Sequence, residues 1–289
     1  MPEGDTIRRL AAKIDRRFAG ERCERCVTRD PRLVGVDLAG ATLLGADAVG
    51  KHLLIRFDNG STLHSHLRMD GSWTVGPTAT EPEWRRRIEL WMETGRLTGI
   101  DLPLLELLTT ADESRVVGHL GPDLCAVEAP DIDEVVSRMQ RQPDVALAAA
   151  LLDQRNVAGF GNIYAIEVPF IAAVSPNQSV GSIEGLDQIV GLGAAIIRTS
   201  AERGPQNTTG RRLNTADHWI YGRRGRPCPI CATTLGGYDE RQSPWRRVSV
   251  WCPACQRIDP VRAVDTARLM KLTALHPARR QALFPAHQA

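Results

Sequence analysis

The spacing of apolar positions near the start of the chain follows the period of an α-helix. Over residues 3–19, apolar side chains recur every three or four positions, and Gly20 follows directly. This pattern predicts an amphipathic helix that ends at the glycine and has Asp5 or Thr6 as its cap.

From about residue 21 to residue 101 the apolar period shortens to two, which is typical of strands with one buried face. Residues 53–57 alternate in this way, Asn59-Gly60 indicates a tight hairpin turn, and Ser61–Leu67 follows as the partner strand. Further strands are predicted at Thr42–Ala48, Ser72–Val75, Arg87–Met92 and Arg96–Asp101. Short strands at such regular intervals indicate a β-sandwich with the first helix packed against it.

The pattern changes again near residue 121, so the predicted fold class is α+β. Four helices are predicted, at residues 131–141, 144–154, 162–172 and 184–202. Residues 203–227 are rich in Gly, Arg, Asn and Thr, which indicates a loop, and helical spacing returns at Val264–Leu275.

The composition is typical of a globular protein in a reducing compartment. Hydrophobic residues make up 43% of the 289 positions, and the longest uncharged apolar stretch, Ile189–Ile197, is far too short to span a membrane. The sequence does not open with a basic segment followed by an apolar one, so we expect a cytoplasmic location and no secretion. Seven cysteines, an odd number, argue against a disulfide framework.

The net charge of +2 conceals an asymmetry between the two parts of the chain. Residues 198–289 carry 16 basic and 6 acidic side chains, a net charge of +10, whereas residues 1–197 carry a net charge of −8. A basic C-terminal part indicates contact with a polyanion, with nucleic acid as the first candidate and a solvated basic face as the alternative.

Four of the cysteines form two C-x-x-C pairs, Cys228-Pro-Ile-Cys231 and Cys252-Pro-Ala-Cys255, separated by residues 232–251. This spacing brings four thiolates to one tetrahedral ion, so a single structural Zn²⁺ is predicted, with a β-hairpin between the pairs. Cys23 and Cys26 are interpreted differently. They lie in a predicted strand, where residues three apart should point to opposite faces, so we expect packing there and no second metal site.

Two further segments have the chemistry of nucleic-acid enzymes. Gly159-Phe-Gly161-Asn162 lacks the third glycine of a dinucleotide-binding fingerprint. The segment predicts a tight turn that opens a helix at Asn162. This turn either binds phosphate or only packs between helices. Without Met1, Pro2 presents a secondary amine that can attack a sugar carbon, and Glu3 can supply the proton. An ordinary chain terminus is the alternative.

Five segments, in this order, resemble the formamidopyrimidine-DNA glycosylase/endonuclease VIII family. They are Met1-Pro-Glu-Gly4, Gly50-Lys-His-Leu-Leu54, His66-Leu-Arg-Met-Asp-Gly-Ser-Trp73, Leu152-Asp-Gln-Arg-Asn-Val-Ala-Gly-Phe-Gly-Asn-Ile-Tyr164 and the two C-x-x-C pairs. The resemblance runs from Pro2 to about Arg257. It implies a β-sandwich flanked by helices, then a helix–two-turn–helix domain with a C-terminal zinc-finger hairpin.

The resemblance also implies roles for single residues. Pro2 is similar to the nucleophile that forms a Schiff base with deoxyribose, and Glu3 to the proton donor. Lys51 is similar to a lysine that assists phosphate binding and β-elimination. Arg247 matches the zinc-finger arginine that binds the phosphate and supports δ-elimination, and Asn162 matches the phosphate-binding asparagine.

By the same resemblance, Arg68, Met69 and Asp70 correspond to the loop that enters the gap left by the flipped nucleotide, although Met69 could instead be a core residue. Three features depart from the family or separate its branches. The family often has Pro-Glu where this chain has Asp5-Thr6, Gly4 replaces a common leucine, and no Arg-x-Phe element is evident near 95–108. The last two favour the endonuclease VIII branch, which prefers oxidised pyrimidines.

The sequence therefore predicts a monomeric bifunctional DNA glycosylase and AP lyase for damaged duplex DNA, without a small-molecule cofactor. Its predicted parts are a catalytic domain (1–121), a helix–two-turn–helix domain (122–220), a zinc finger (221–258) and a tail (259–289). An oxidised-purine glycosylase, a non-catalytic damage-binding protein and a zinc-ribbon transcription factor are the alternatives.

Overall fold

The computed structural model describes residues 2–78, 80–211 and 215–265. The chain divides into two compact units, Met1–His119 and Leu120–Ala289, and each contains its own apolar core. The helix predicted at Val264–Leu275 lies, apart from its first two residues, outside the described residues.

The first unit begins with α1 (Gly4–Phe18), whose buried apolar side chains lie at the spacing that the sequence indicated. The predicted cap was wrong, because Glu3 occupies the cap position and its carbonyl oxygen accepts hydrogen bonds from the backbone of Thr6 and Ile7. Asp5 is buried in the first turn instead, where its carboxylate lies 3.5 Å from the guanidinium of Arg9.

Two four-stranded antiparallel sheets form the β-sandwich of the first unit, with the orders β1-β6-β7-β5 and β2-β3-β4-β8. The strands are β1 (Cys23–Thr28), β2 (Leu43–Val49), β3 (His52–Phe57), β4 (Ser61–His66), β5 (Ser72–Gly76), β6 (Arg86–Met92), β7 (Gly95–Ile100) and β8 (Leu104–Thr109). The apolar core of this unit takes side chains from both sheets and from α1, as predicted. A short helix, α2 (Ser114–Val117), follows β8.

The second unit is mainly helical and contains the predicted set of helices. They are α3 (Ile132–Gln140), α4 (Leu147–Leu152), α5 (Asn162–Ile171) and α6 (Leu186–Arg203). Every residue of α5 is buried, and the carboxylate of Glu167 on that helix accepts hydrogen bonds from three successive backbone amides, those of residues 219–221. This helix is therefore the centre of the second core.

Short strands complete the second unit. β10 (Gly236–Tyr238) and β11 (Ser249–Trp251) form an antiparallel hairpin, and β12 (Arg262–Ala263) pairs in parallel with β9 (Ile183–Glu184). In the part of the chain that the structure describes, no helix has the length and apolar character needed to cross a bilayer.

Candidate functional site

Pro2 and Glu3 lie at the start of α1. Pro2 is partly exposed, whereas Glu3 is fully buried and has an extended backbone (φ −122°, ψ −176°). The N-terminal end of a helix carries a partial positive charge, which disfavours a protonated amine and favours a nearby carboxylate. The chain thus places a candidate nucleophile and a candidate proton donor next to each other at this end.

Lys51 lies in the two-residue turn between β2 and β3, one position before His52. Gly50, the other residue of the turn, has φ +58°, a left-handed conformation that glycine adopts at little cost. Lys51 is partly exposed. The turn therefore presents the lysine at the head of β3.

The exposed loop after β4 carries the predicted gap-entering residues. Met69 has 63% of its surface exposed, so the alternative that it is a core residue is wrong. Arg68 has φ +48°, and its backbone amide donates a hydrogen bond of 3.1 Å to Nδ1 of His66. A Cβ atom at position 71 would lie 2.8 Å from the carbonyl oxygen of Leu67, so the tight turn requires Gly71.

Sequence reasoning missed a row of side chains beside the Lys51 turn. His52 on β3, His64 on β4 and Glu106 on β8 are linked by hydrogen bonds of 2.8 Å each, and we call these three residues the histidine row. His66 lies opposite His52 in the β3–β4 pairing. His64 and His66 are two residues apart after the Asn-Gly turn and His52 precedes it, and this arrangement was the signal that could have revealed the row.

The histidines next to Lys51 are held in the neutral form. Burial lowers the pKa of His52 to about 3, with smaller contributions from the neighbouring histidines and Lys51. Burial also lowers the pKa of His66 to about 4, helped by the charges of Lys51 and Arg68. Both rings are therefore uncharged at neutral pH.

In the second unit, the structure brings two of the predicted residues close together. Asn162, the first residue of α5, is 5% exposed, and its Nδ2 donates a hydrogen bond of 2.8 Å to the carbonyl oxygen of Val248. Arg247, the preceding residue, is exposed and lies 3.6 Å from the carboxylate of Glu240. The start of α5 is thus hydrogen-bonded to the residue that follows the hairpin arginine.

The four cysteines of the C-x-x-C pairs converge at the base of the β10–β11 hairpin. Cys228, Cys231, Cys252 and Cys255 have sulfur atoms that all lie within 4.8 Å of one another. A tetrahedral ion with metal–sulfur bonds of about 2.3 Å separates its sulfur atoms by about 3.8 Å, so the arrangement fits a metal of the zinc type. These residues can hold a metal ion.

Cys23 and Cys26 both contact the core of the first unit, contrary to the expectation that they point to opposite faces. A bulge between Cys23 and Arg25 shifts the register by one residue, so that Cys23 lies opposite Met92 and Cys26 opposite Leu90. Burial raises the pKa of the Cys23 thiol to about 12. Within the described residues, the grouping with metal-ligand geometry is the C-terminal set of four cysteines.

Two protein-family models together match most of the chain. The model of the formamidopyrimidine-DNA glycosylase N-terminal domain matches residues 1–102, and that of the H2TH domain of the same enzymes matches residues 120–208. The chain belongs to the formamidopyrimidine-DNA glycosylase/endonuclease VIII family. The helix–two-turn–helix that the sequence implied is therefore confirmed for the second unit of this family member.

Curated relatives of both branches of the formamidopyrimidine-DNA glycosylase/endonuclease VIII family match the chain. Probable endonuclease 8 2 of Streptomyces coelicolor is 39% identical over 89% of this chain and 94% of its own. DNA-(apurinic or apyrimidinic site) lyase Nei2 of Mycolicibacterium smegmatis is 38% identical, over 89% of this chain and 99% of its own. Formamidopyrimidine-DNA glycosylase of Rhodospirillum rubrum is 32% identical, over 89% of this chain and 100% of its own.

Solved structures of the family share the fold. Lactococcus lactis formamidopyrimidine-DNA glycosylase in complex with DNA that contains an oxidised pyrimidine has a TM-score of 0.74 and 22% identity, over 89% of this chain and all of that one. The same enzyme bound to DNA with an abasic site also has a TM-score of 0.74 and 22% identity, covering 88% of this chain and 99% of that one.

Proposed function

We propose that the protein is a bifunctional DNA glycosylase and AP lyase that removes oxidised bases, chiefly pyrimidines, from duplex DNA. The observation that carries this proposal is the position of Pro2 directly ahead of the buried Glu3 at the positive end of α1, in a chain of this family. A stacked base shields its anomeric carbon, so the target nucleotide must be flipped out of the helix before reaction.

The reaction uses the amine of Pro2 after removal of Met1. The amine attacks C1′ of the damaged nucleotide, the base leaves, and the resulting Schiff base permits elimination of the strand. Glu3 donates and recovers the proton during opening of the sugar ring. Its burial supports this role, because the carboxyl group is shielded from bulk water directly beside Pro2.

Phosphate contacts hold the lesion in place during this reaction. Lys51 binds phosphate and assists β-elimination, while Arg247 and Asn162 bind the phosphate beside the lesion and Arg247 supports δ-elimination. The link from Asn162 to the residue after Arg247 favours one shared phosphate site. Arginine forks suit such contacts, because two N–H groups can meet two phosphate oxygens.

Arg68, Met69 and Asp70 enter the gap that the flipped nucleotide leaves. The exposure of Met69 supports this role, since an apolar side chain at the tip of a loop can replace the missing base in the stack. β7 and β8 are joined by Asp101–Pro103 alone, which leaves no long loop there for a second inserted element. The short connection and the 39% identity to an endonuclease 8 relative favour oxidised pyrimidines as substrates.

One Zn²⁺ is proposed at Cys228, Cys231, Cys252 and Cys255, where it supplies a structural cross-link for the β10–β11 hairpin. The hairpin has too few apolar residues to fold alone, so the metal would hold Arg247 in its place. The parts proposed for the chain remain residues 1–121, 122–220, 221–258 and 259–289. The protein would act as a cytoplasmic monomer on damaged double-stranded DNA, without a small-molecule cofactor.

Borohydride trapping on a duplex with one abasic site tests this function. The wild-type chain should form a covalent adduct, and Pro2→Gly should bind the same duplex yet trap poorly. Unchanged trapping by Pro2→Gly would place the nucleophile elsewhere, and no adduct with the wild type would indicate a non-catalytic binding protein. An excision panel of dihydrouracil, thymine glycol and 8-oxoguanine duplexes then separates pyrimidine from purine specificity.

A further inference from the structure

Four histidine rings gather in the first unit, around the end of β3 that follows Lys51. The ring centres of His64, His66 and His119 lie 5.0, 5.1 and 6.5 Å from that of His52. Their nitrogen atoms do not form a metal-ligand set, because the cysteine cluster is the arrangement among the described residues that could hold an ion. The histidines therefore call for a different explanation.

The histidine row is a continuous chain of hydrogen bonds. Nδ1 of His52 lies 2.8 Å from Nε2 of His64, and Nδ1 of His64 lies 2.8 Å from Oε1 of Glu106. The planes of the first two rings are 18° apart, and their centres are separated by 5.0 Å.

The carboxylate of Glu106, at one end of the row, determines which ring nitrogens of His64 and His52 carry protons. A carboxylate can only accept, so Nδ1 of His64 carries a proton, and in the neutral tautomer of that ring Nε2 accepts from Nδ1 of His52. Nε2 of His52 is then left with a lone pair. The neutral state of His52 agrees with this assignment, since its pKa lies at about 3.

The row leads from solvent to the Lys51 turn. His64, in the middle, is 1% exposed, whereas the side chain of Glu106 is 46% exposed. At the other end, His52 follows Lys51 in the sequence, and the charge of Lys51 acts on the rings of both His52 and His66. A proton can therefore pass the buried ring without leaving a charge on it.

We propose that His52, His64 and Glu106 form a proton relay that serves the elimination steps at the Lys51 turn. This proposal rests on the proposed lyase function. In β-elimination the C2′–H electron pair becomes the C2′=C3′ bond, and the C3′–O bond breaks with its electrons on the leaving phosphate. Nε2 of His52 accepts the C2′ proton, and the proton on Nδ1 of His52 moves to Nε2 of His64. The proton on Nδ1 of His64 then passes to Glu106 and from there to water.

The reverse transfer completes the cycle. Glu106 takes a proton from water and gives it to Nδ1 of His64, whose Nε2 proton moves to Nδ1 of His52. The Nε2 proton of His52 then neutralises one negative charge on the leaving phosphate ester. Both rings return to their starting tautomers, and no oxidant or reductant is needed.

The relay is tested with the full-length, zinc-loaded protein on a duplex that holds a preformed abasic site. Trapping measures Schiff-base formation, and strand cleavage in a single turnover measures elimination. In Glu106→Gln, which keeps the size of an exposed side chain, cleavage should slow about 10- to 100-fold while trapping stays within about twofold of wild type. His64→Ala should likewise slow cleavage while trapping stays close to wild type, and added imidazole should restore part of its cleavage rate.

His119→Gln is the matched control, because His119 lies in the same cluster but outside the row, and it should cleave at the wild-type rate. Wild-type cleavage by Glu106→Gln would overturn the relay, as would an equal loss of trapping and cleavage without rescue by imidazole. If the wild-type chain itself fails to trap, the lyase function is rejected rather than the relay. Glu106→Gln decides the question even if His64→Ala does not fold.

Discussion

Asn162 donates a hydrogen bond of 2.8 Å to the carbonyl oxygen of Val248, 86 positions along the chain. The bond connects the first residue of α5 to the hairpin that carries Arg247. Because Asn162 is 5% exposed, its position is fixed by packing as well as by this bond. The geometry relates a helix start, which favours anions, to an arginine on the hairpin next to the cysteine cluster.

Replacement of Asn162 by alanine should weaken binding to abasic-site DNA about 5- to 20-fold, equivalent to about 1–2 kcal/mol for a lost polar contact. The reason is that Val248 loses its partner and the hairpin is no longer fixed beside α5. Fluorescence anisotropy at constant salt measures the affinity. Asn177→Ala, at a partly exposed position of the same unit, is the control and should bind as wild type.

Arg247→Ala should flatten the salt dependence of DNA binding by about one phosphate contact and slow δ-elimination. The affinity is measured over a series of salt concentrations, and a gel separates the β- and δ-elimination products. Arg203→Ala removes the same charge from the last turn of α6 and controls for net charge. An identical change of slope in both variants would mean that Arg247 makes no specific contact.

Glu240 should weaken DNA binding, whereas Arg247 should strengthen it. Its carboxylate lies 3.6 Å from the guanidinium, and both side chains are exposed, so the ion pair is weak in water. Glu240→Gln removes this competitor for the phosphate and should tighten DNA binding slightly, by about twofold, most clearly at low salt. The same anisotropy titrations show whether it does.

Cys252→Ser should abolish stoichiometric zinc and weaken DNA binding, because the hairpin depends on the metal for its fold. Metal content by mass spectrometry and affinity by anisotropy give the two readouts. Cys26→Ser, on β1, should keep one zinc per chain. Full DNA affinity after chelation of the metal would contradict the proposed structural role.

Stability should fall as the pH decreases below about 6.5. The pKa values of His52 and His66 in the folded chain are about 3 and about 4, below the ordinary value of 6.5. Between these values the unfolded chain binds protons that the folded chain does not, so protonation favours unfolding. The stabilisation is complete above pH 6.5 and is lost progressively toward about pH 3.

Urea unfolding at about pH 7.5 and about pH 5 measures this effect. The double variant His52→Gln/His66→Gln should lose less stability between the two conditions than wild type. His119→Gln should follow the wild-type profile. A double variant with the same pH dependence as wild type would show that other groups cause the loss.

The amphipathic α1 and the strands around the Asn-Gly turn could be predicted because each shows a clear period and a clear end signal. β8 could not, since Leu104-Leu105-Glu106-Leu107-Leu108 is apolar on both faces and lacks alternation. Glu106 was missed with its strand, and so was the histidine row. The partners in this row lie on three strands, and pairing between distant strands is not a property of local sequence.

The cysteine sites show the same distinction. The four cysteines of the C-terminal cluster could be predicted as a candidate metal site, because the spacing of two C-x-x-C pairs is typical of such sites. Cys23 and Cys26 were assigned to opposite faces because the bulge next to Arg25 has no reliable sequence signal. Similarly, the cap of α1 was misplaced because Glu3 takes that position without a side-chain hydrogen bond.

The turn at Asn59-Gly60 joins β3 to β4 and fixes their register, which places His52 opposite His66. A strand that slips by one residue turns each of its side chains to the other face of the sheet. Insertion of a single residue into this exposed turn would therefore direct His64 and His66 away from His52. Surface turns usually tolerate changes in length, but the proposed relay at the opposite end of the hairpin would be lost if the length of this one changed.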